Sequence, residues 1–214
     1  MPSRQTSEAR PLEASVSPQA KIEQSLNLPN ILTFSRILLV PVYIVLFYDP
    51  TPTRAIAAAG VFGVAALTDL LDGYLARRRA QITTIGRLLD PIADKLLVLA
   101  GLVLLVQFHR IEAWIAIAMI AREIGVTGIR AIGAAEGIIV QAGTLGKYKV
   151  VLQIIAIILL TLEGAVFLPF VSLSALGMVA LYLALGFSII SGIQYAVDIW
   201  KAFLRTGLLT KKEG

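Results

Sequence analysis

The stretch TDLLDGYLARRRAQITTIGRLLDPIAD, residues 68–94, carries four aspartates and four arginines between two strongly apolar neighbours. Working outward, apolar runs of roughly 20 residues recur on both sides, long enough to cross about 30 Å of hydrocarbon as helices. The chain of 214 residues is 57% hydrophobic and 15% charged, against about 25% charged in an ordinary soluble domain. The sequence therefore predicts an all-α integral membrane protein. Six transmembrane helices are expected over 30–48, 54–77, 88–108, 112–134, 145–167 and 172–200. They belong to one membrane domain over 26–205, preceded by a polar, flexible tail over 1–25 and followed by a basic tail over 206–214. A short interfacial helix is expected over 19–29. Residues 1–25 lack the apolar core of a signal peptide.

Several function classes fall away. There is no cysteine, so disulfides and thiolate metal sites are excluded, and the single His109 argues against a histidine-based metal site. The net charge of +5 reads as cytoplasmic loops facing anionic lipid, not as a nucleic-acid surface. With both termini placed inside, only Arg54 and Arg110 of the 19 Lys and Arg fall at outer helix ends. That asymmetry predicts cytoplasmic termini and puts 68–94 on the cytoplasmic side, between the second and third spans. No internal repeat marks an inverted-repeat transporter.

Asp69 and Asp72 are three apart on one helix, and Asp90 and Asp94 four apart on the next. Each pair shares a helix face, and the short link lets all four converge. Four carboxylates at a hydrocarbon boundary repel one another and lose hydration, so a cation is expected among them. An all-oxygen set suits a hard divalent ion, Mg²⁺ or Mn²⁺. Two such ions bridged by carboxylates are an arrangement for phosphoryl chemistry. Gly73, Ala76 and Gly86 leave room beside them for a nucleobase or sugar. Taken singly, each acid could equally cap a helix or pair with a nearby arginine, and Arg77 could simply mark topology. The joint spacing is what these alternatives leave unexplained.

That spacing is D-x2-D-G-x2-A-R-x8-G-x3-D-x3-D, filled by Asp69, Asp72, Gly73, Ala76, Arg77, Gly86, Asp90 and Asp94. It resembles, without departure, the signature of the CDP-alcohol phosphotransferases. NLPNILTFSRILLVPVYIVLFY (27–48), AREIGVTGIR (121–130) and GKYK (146–149) look like motifs of the branch whose acceptor is sn-glycerol 3-phosphate. The resemblance covers about 27–200. It implies six transmembrane helices, two divalent cations, and transfer of a phosphatidyl group from CDP-diacylglycerol to glycerol 3-phosphate with release of CMP. It further implies that Asp69, Asp72, Asp90 and Asp94 hold metal and that Asp94 is the general base. Asp69, Gly73, Ala76, Arg77 and Gly86 would receive the CDP group. A homodimer in the cell membrane, with its active site facing the cytoplasm, follows from the same resemblance.

Arg122 and Arg130, eight apart, lie about two turns apart on one broad face, and Lys147 opens the next span. Arginine within a span is costly and usually functional. These three cations fit a phosphate dianion, and the resemblance gives them the acceptor phosphate. The competing reading pairs Arg122 with Glu123 or an aspartate. Arg36, with Asn30 and Thr33 on a similar face, is expected either to contact substrate or to snorkel to the surface. An inositol phosphate acceptor would need the same pocket, and phosphatidylglycerol is a further candidate. Serine carries no phosphate and fits the cations poorly. An ion or proton transporter is the alternative from another class, disfavoured because the acids lie toward one membrane face.

Overall fold

A computed structural model describes the backbone of residues 28–79, 84–138 and 145–210, and the side chains of 34–68, 95–138 and 146–205. Helix formation follows the apolar runs, and the breaks follow the backbone chemistry between them. Helix α1 (Leu28–Phe47) stops before Asp49, Pro50 and Pro52. Pro52 then opens α2 (Pro52–Arg79), a first-turn position where its missing N–H costs nothing. Helix α3 (Thr84–Gln107) ends where His109 takes a left-handed φ of 54°. Helix α4 (Ala113–Ala135) closes through Gly137 at φ 72°. The Ile138 N–H there donates to the Gly133 carbonyl at 2.8 Å, a glycine stop that satisfies a terminal carbonyl.

The last two helices depart from the predicted lengths. Helix α5 (Leu145–Thr161) ends six residues short of the expected 167. The chain reverses at Gly164, φ 73°, before Pro169 is reached. Helix α6 (Leu173–Thr210) runs ten residues past the expected 200 and through the boundary placed at 206, because no proline interrupts it. At 1.5 Å per residue it is about 57 Å long.

All six described helices join one bundle. Helix α1 packs on α2 and α3, α5 pairs along α6, α4 lies against α6, and α2 and α3 reach α5. Tyr43, Phe47, Phe62, Leu105, Ile115, Ile157, Leu160 and Leu181 are wholly buried at their meeting. Helices α5 and α6 approach closely at Gly177, where a Cβ would lie 2.7 Å from Leu160 Cγ. Small residues are what allow such approach between apolar helices.

Many large apolar side chains of the described residues face outward. Leu38, Val45, Val64, Leu67, Trp114, Ile117, Ile124, Ile193 and Trp200 are exposed, far more than the scattered apolar surface of a water-soluble monomer. The segment Leu173–Arg205 is long and apolar enough to cross a bilayer, and Phe34–Phe47, Pro52–Thr68 and Lys95–Gln107 are shorter apolar helices.

The connections 48–51, 108–112 and 162–172 gather at one end of the bundle. Phe47 meets Phe108 with centroids 5.2 Å apart. Arg110 Nη1 donates to the Leu160 and Thr161 carbonyls at 2.5 and 2.9 Å. The expected interfacial helix over 19–29 lies almost entirely outside the described residues.

Candidate functional site

The opposite end of the bundle holds a polar cluster built on α4. In AREIGVTGIR, Glu123 and Thr127 are one turn apart and share a face, and Thr127 Oγ1 donates back to the Glu123 carbonyl at 2.7 Å. With its proton committed there, the hydroxyl accepts from Lys95 Nζ of α3 at 2.5 Å. Lys95 directly follows Asp94, so this bond ties α3 to α4 next to the last of the predicted carboxylate positions.

Glu123 is the shared anion of the cluster. Its Oε2 accepts from Lys149 Nζ of α5 and from Arg122 Nη1 at 3.1 Å. The Lys149 side chain is 7% exposed, against 36% for Glu123, so the ammonium is buried within the bundle. A buried ammonium needs such a partner. Arg122 is further fixed by α6. Its Nε donates to the Ser188 carbonyl at 2.8 Å and its Nη2 to Ser191 Oγ at 2.8 Å. Arg130, two turns along α4, places its guanidinium carbon 5.3 Å from the ring centroid of Tyr195, also on α6.

The pairing of Arg122 with Glu123, weighed above as the competing reading, is therefore present. It does not exhaust the guanidinium. Arginine has five N–H donors, three of which are engaged among the described residues. The two left over match one bidentate phosphate contact.

Arg122 and Arg130 are thus brought to the same neighbour, α6. Lys147 is exposed in the first turn of α5, while Lys149, two residues on, turns inward. Residues two apart on a helix face away from each other, so only one lysine of GKYK meets α4. Arg36 is 2% exposed, so it does not snorkel to the surface. Asn30 and Thr33 lie on α1, and their side chains are outside the described ones.

Asp69 and Asp72 lie on the helical backbone of α2, with Gly73, Ala76 and Arg77. Asp90 and Asp94 lie on that of α3, with Gly86. The side chains of 69–94 fall outside the described ones. Among the described residues no three carboxylate or histidine groups converge on a metal position. The four aspartates remain the donor set on these helices whose chemistry fits a hard divalent ion.

Sequence reasoning left out Lys95, Thr127, Ser188, Ser191 and Tyr195, and took Glu123 only as a competitor for Arg122. The signal for Lys149 was available in GKYK. For the serines and Tyr195 there was none, because a serine in an apolar helix looks like any small packing residue.

Comparison with known proteins matches residues 26–190 to the CDP-alcohol phosphatidyltransferase family. The chain is similar to a Bacillus subtilis protein named CDP-diacylglycerol–glycerol-3-phosphate 3-phosphatidyltransferase, 40% identical over 189 residues, covering 82% of this chain and 96% of that one. A Pseudomonas fluorescens protein of the same name is 41% identical over 181 residues, covering 82% and 91%. A CMP-forming cardiolipin synthase of Oryza sativa is 37% identical over 204 residues, covering 88% of this chain and 62% of its own.

Proposed function

The chain belongs to the CDP-alcohol phosphatidyltransferase family, and from that premise we propose that it transfers the phosphatidyl group of CDP-diacylglycerol to sn-glycerol 3-phosphate. The products are phosphatidylglycerol phosphate and CMP. The observation that carries the acceptor is the pairing on α4 and α5, where among the described residues Arg122 and Lys149 share the carboxylate of Glu123. A phosphate dianion supplies further negative charge to these two cations. Arg130 and Lys147 complete the acceptor side of this reading, and Arg36, Asn30 and Thr33 stand as substrate contacts on α1. The names of the two bacterial relatives support the same acceptor.

The family is divalent-metal dependent. In the proposed site Asp69, Asp72, Asp90 and Asp94 hold two ions, Mg²⁺ or Mn²⁺, which when bound neutralise the pyrophosphate oxygens. Gly73, Ala76, Arg77 and Gly86, with Asp69, receive the CDP group. Asp94 takes the proton of the acceptor hydroxyl. The hydroxyl oxygen bonds to the phosphorus that carries diacylglycerol, and the bond from that phosphorus to the bridging oxygen breaks. CMP leaves with the electron pair. No covalent enzyme intermediate is required, since neither a cysteine nor a Ser–His pair is available.

The six helices of 26–205 are proposed to span the cell membrane with both termini and the α4 cluster at the cytoplasmic face, and a homodimer is the expected assembly. The apolar outer faces support the multi-span arrangement. The cardiolipin synthase relative gives a second reading, with a lipid acceptor in place of glycerol 3-phosphate. Purified protein in detergent, given CDP-diacylglycerol and Mg²⁺, is expected to release CMP with glycerol 3-phosphate. It should not do so with serine, inositol phosphate or phosphatidylglycerol. Chelation with EDTA and Asp94→Asn should each abolish release. Turnover retained in Asp94→Asn would remove the base, and release with another acceptor alone would replace the substrate.

A further inference from the structure

Both arginines assigned to the acceptor phosphate rest on one stripe of α6. Ser191, Gly192 and Tyr195 follow Ser188 at three, four and seven residues, so all four share a helix face. The Ser188 carbonyl takes Arg122 Nε, and it also accepts the Ser191 hydroxyl proton at 3.1 Å. That commitment turns the Ser191 lone pairs outward to Arg122 Nη2. Gly192 leaves the space in which the guanidinium lies. A Cβ there would stand 3.3 Å from Arg122 Nε and 3.4 Å from Val126 Cγ2, close enough that the arginine must shift. Tyr195, 7% exposed, is a fixed platform under Arg130, within cation–π range. Arg130 itself is exposed, so without that ring little would hold it over the site.

We propose that this α6 stripe is a cradle that sets the affinity of the site for the acceptor's phosphate, by fixing both guanidinium groups before the acceptor arrives. The proposal rests on the reading of Arg122 and Arg130 as acceptor ligands. An arginine that must order its long side chain on binding loses part of the interaction to that ordering. One already seated does not. Gly192 and Tyr195 are positioning residues in this scheme, since they act through the arginines and not on the substrate. The cradle acts on the acceptor alone, because its hydrogen bonds and ring contact end on α4.

The test is steady-state CMP release by the full chain in detergent, with each substrate varied at saturating levels of the other. Gly192→Ala and Tyr195→Leu are expected to raise the KM for glycerol 3-phosphate about threefold or more. The kcat and the KM for CDP-diacylglycerol should stay within about twofold of wild type. Tyr195→Phe keeps the ring and should keep the wild-type KM. If Gly192→Ala does not fold, the Tyr195 pair decides, with Ser191→Ala as the further variant. An unchanged acceptor KM in the folded variants overturns the cradle. So does a fall in kcat alone, or an equal rise in both KM values, which is what general loosening of the bundle would produce. Wild-type turnover separates the acceptor reading from the cradle. No CMP release with glycerol 3-phosphate defeats the acceptor reading itself, whereas wild-type turnover with unaltered variants defeats only the cradle.

Discussion

The two ends of the bundle use arginine in opposite ways. At the loop end, Arg110 donates to the Leu160 and Thr161 carbonyls at the C-terminus of α5 and lies 5.1 Å over the Phe47 ring. Arg54 donates to the Val45 carbonyl near the end of α1 and to Asp49 Oδ2 at 2.9 Å. Helix C-termini present unpaired carbonyls and the negative end of the helix dipole, so these two cations are consumed by the fold. At the other end, Lys95, Arg122 and Lys149 meet through Glu123 and Thr127, and Arg122 and Lys149 share the one Glu123 carboxylate. Within that described cluster the cations outnumber the carboxylate. The lesson is that an arginine is read by the company it keeps: Arg54 and Arg110 sit on carbonyls at helix C-termini, whereas Arg122 shares the Glu123 carboxylate with Lys149.

The largest effect expected from this contrast is at Glu123. Glu123→Gln removes the charge that holds Lys149 and Arg122 together, leaving cations facing each other in a partly buried site. The expected loss in kcat/KM is roughly 10-fold to 100-fold, as for a misplaced catalytic or binding group. Loss of thermal stability without loss of kcat/KM would place Glu123 in the structural class with Asp49.

Arg110→Ala should show the reverse pattern. Two carbonyls lose a charge-assisted hydrogen bond and Phe47 loses its cation, so unfolding in detergent should come earlier by about 1–3 kcal/mol. The acceptor KM should not move. A raised acceptor KM in Arg110→Ala would erase the distinction between the ends.

Tyr43→Phe sharpens the same comparison at smaller scale. Tyr43 and Thr161 hydroxyls are 3.3 Å apart in the buried core of the loop end. Losing that long bond, and leaving Thr161 without it, should cost about 0.5–1.5 kcal/mol of stability and leave turnover unchanged. Arg54→Ala stands last. Its ion pair with Asp49 is exposed, 38% and 73% for the two side chains, so under about 1 kcal/mol is expected from denaturation. A larger loss would mean that the bond to the Val45 carbonyl, and not the ion pair, closes α1.

Much of the fold was legible because it depends on local chemistry. Apolar run length predicts helices, and Asp49-Pro50 marks the end of α1, so α1 through α4 lie within a few residues of their expected bounds. The ends of α5 and α6 were missed for want of a local marker. Gly164 stops α5 early through its backbone conformation, and the far end of α6 has no breaker strong enough to read. The candidate site divides in the same way. Asp69, Asp72, Asp90 and Asp94 are visible as a pattern in one short stretch, because ionic groups in an apolar chain have few reasons to be there.

By itself, then, the sequence determined the helical class, the family signature and the identity of the charged groups at the α4 end. Only the tertiary structure decided which of those groups meet. Lys149 and not Lys147 faces Glu123, Arg122 engages three of its five N–H donors among the described residues, and α6 supplies Ser188, Ser191, Gly192 and Tyr195 as the seat for both arginines. The physical reason is that partner choice across helices depends on packing angle and rotation, set by contacts such as Gly177 against Leu160. No spacing within a single helix encodes those.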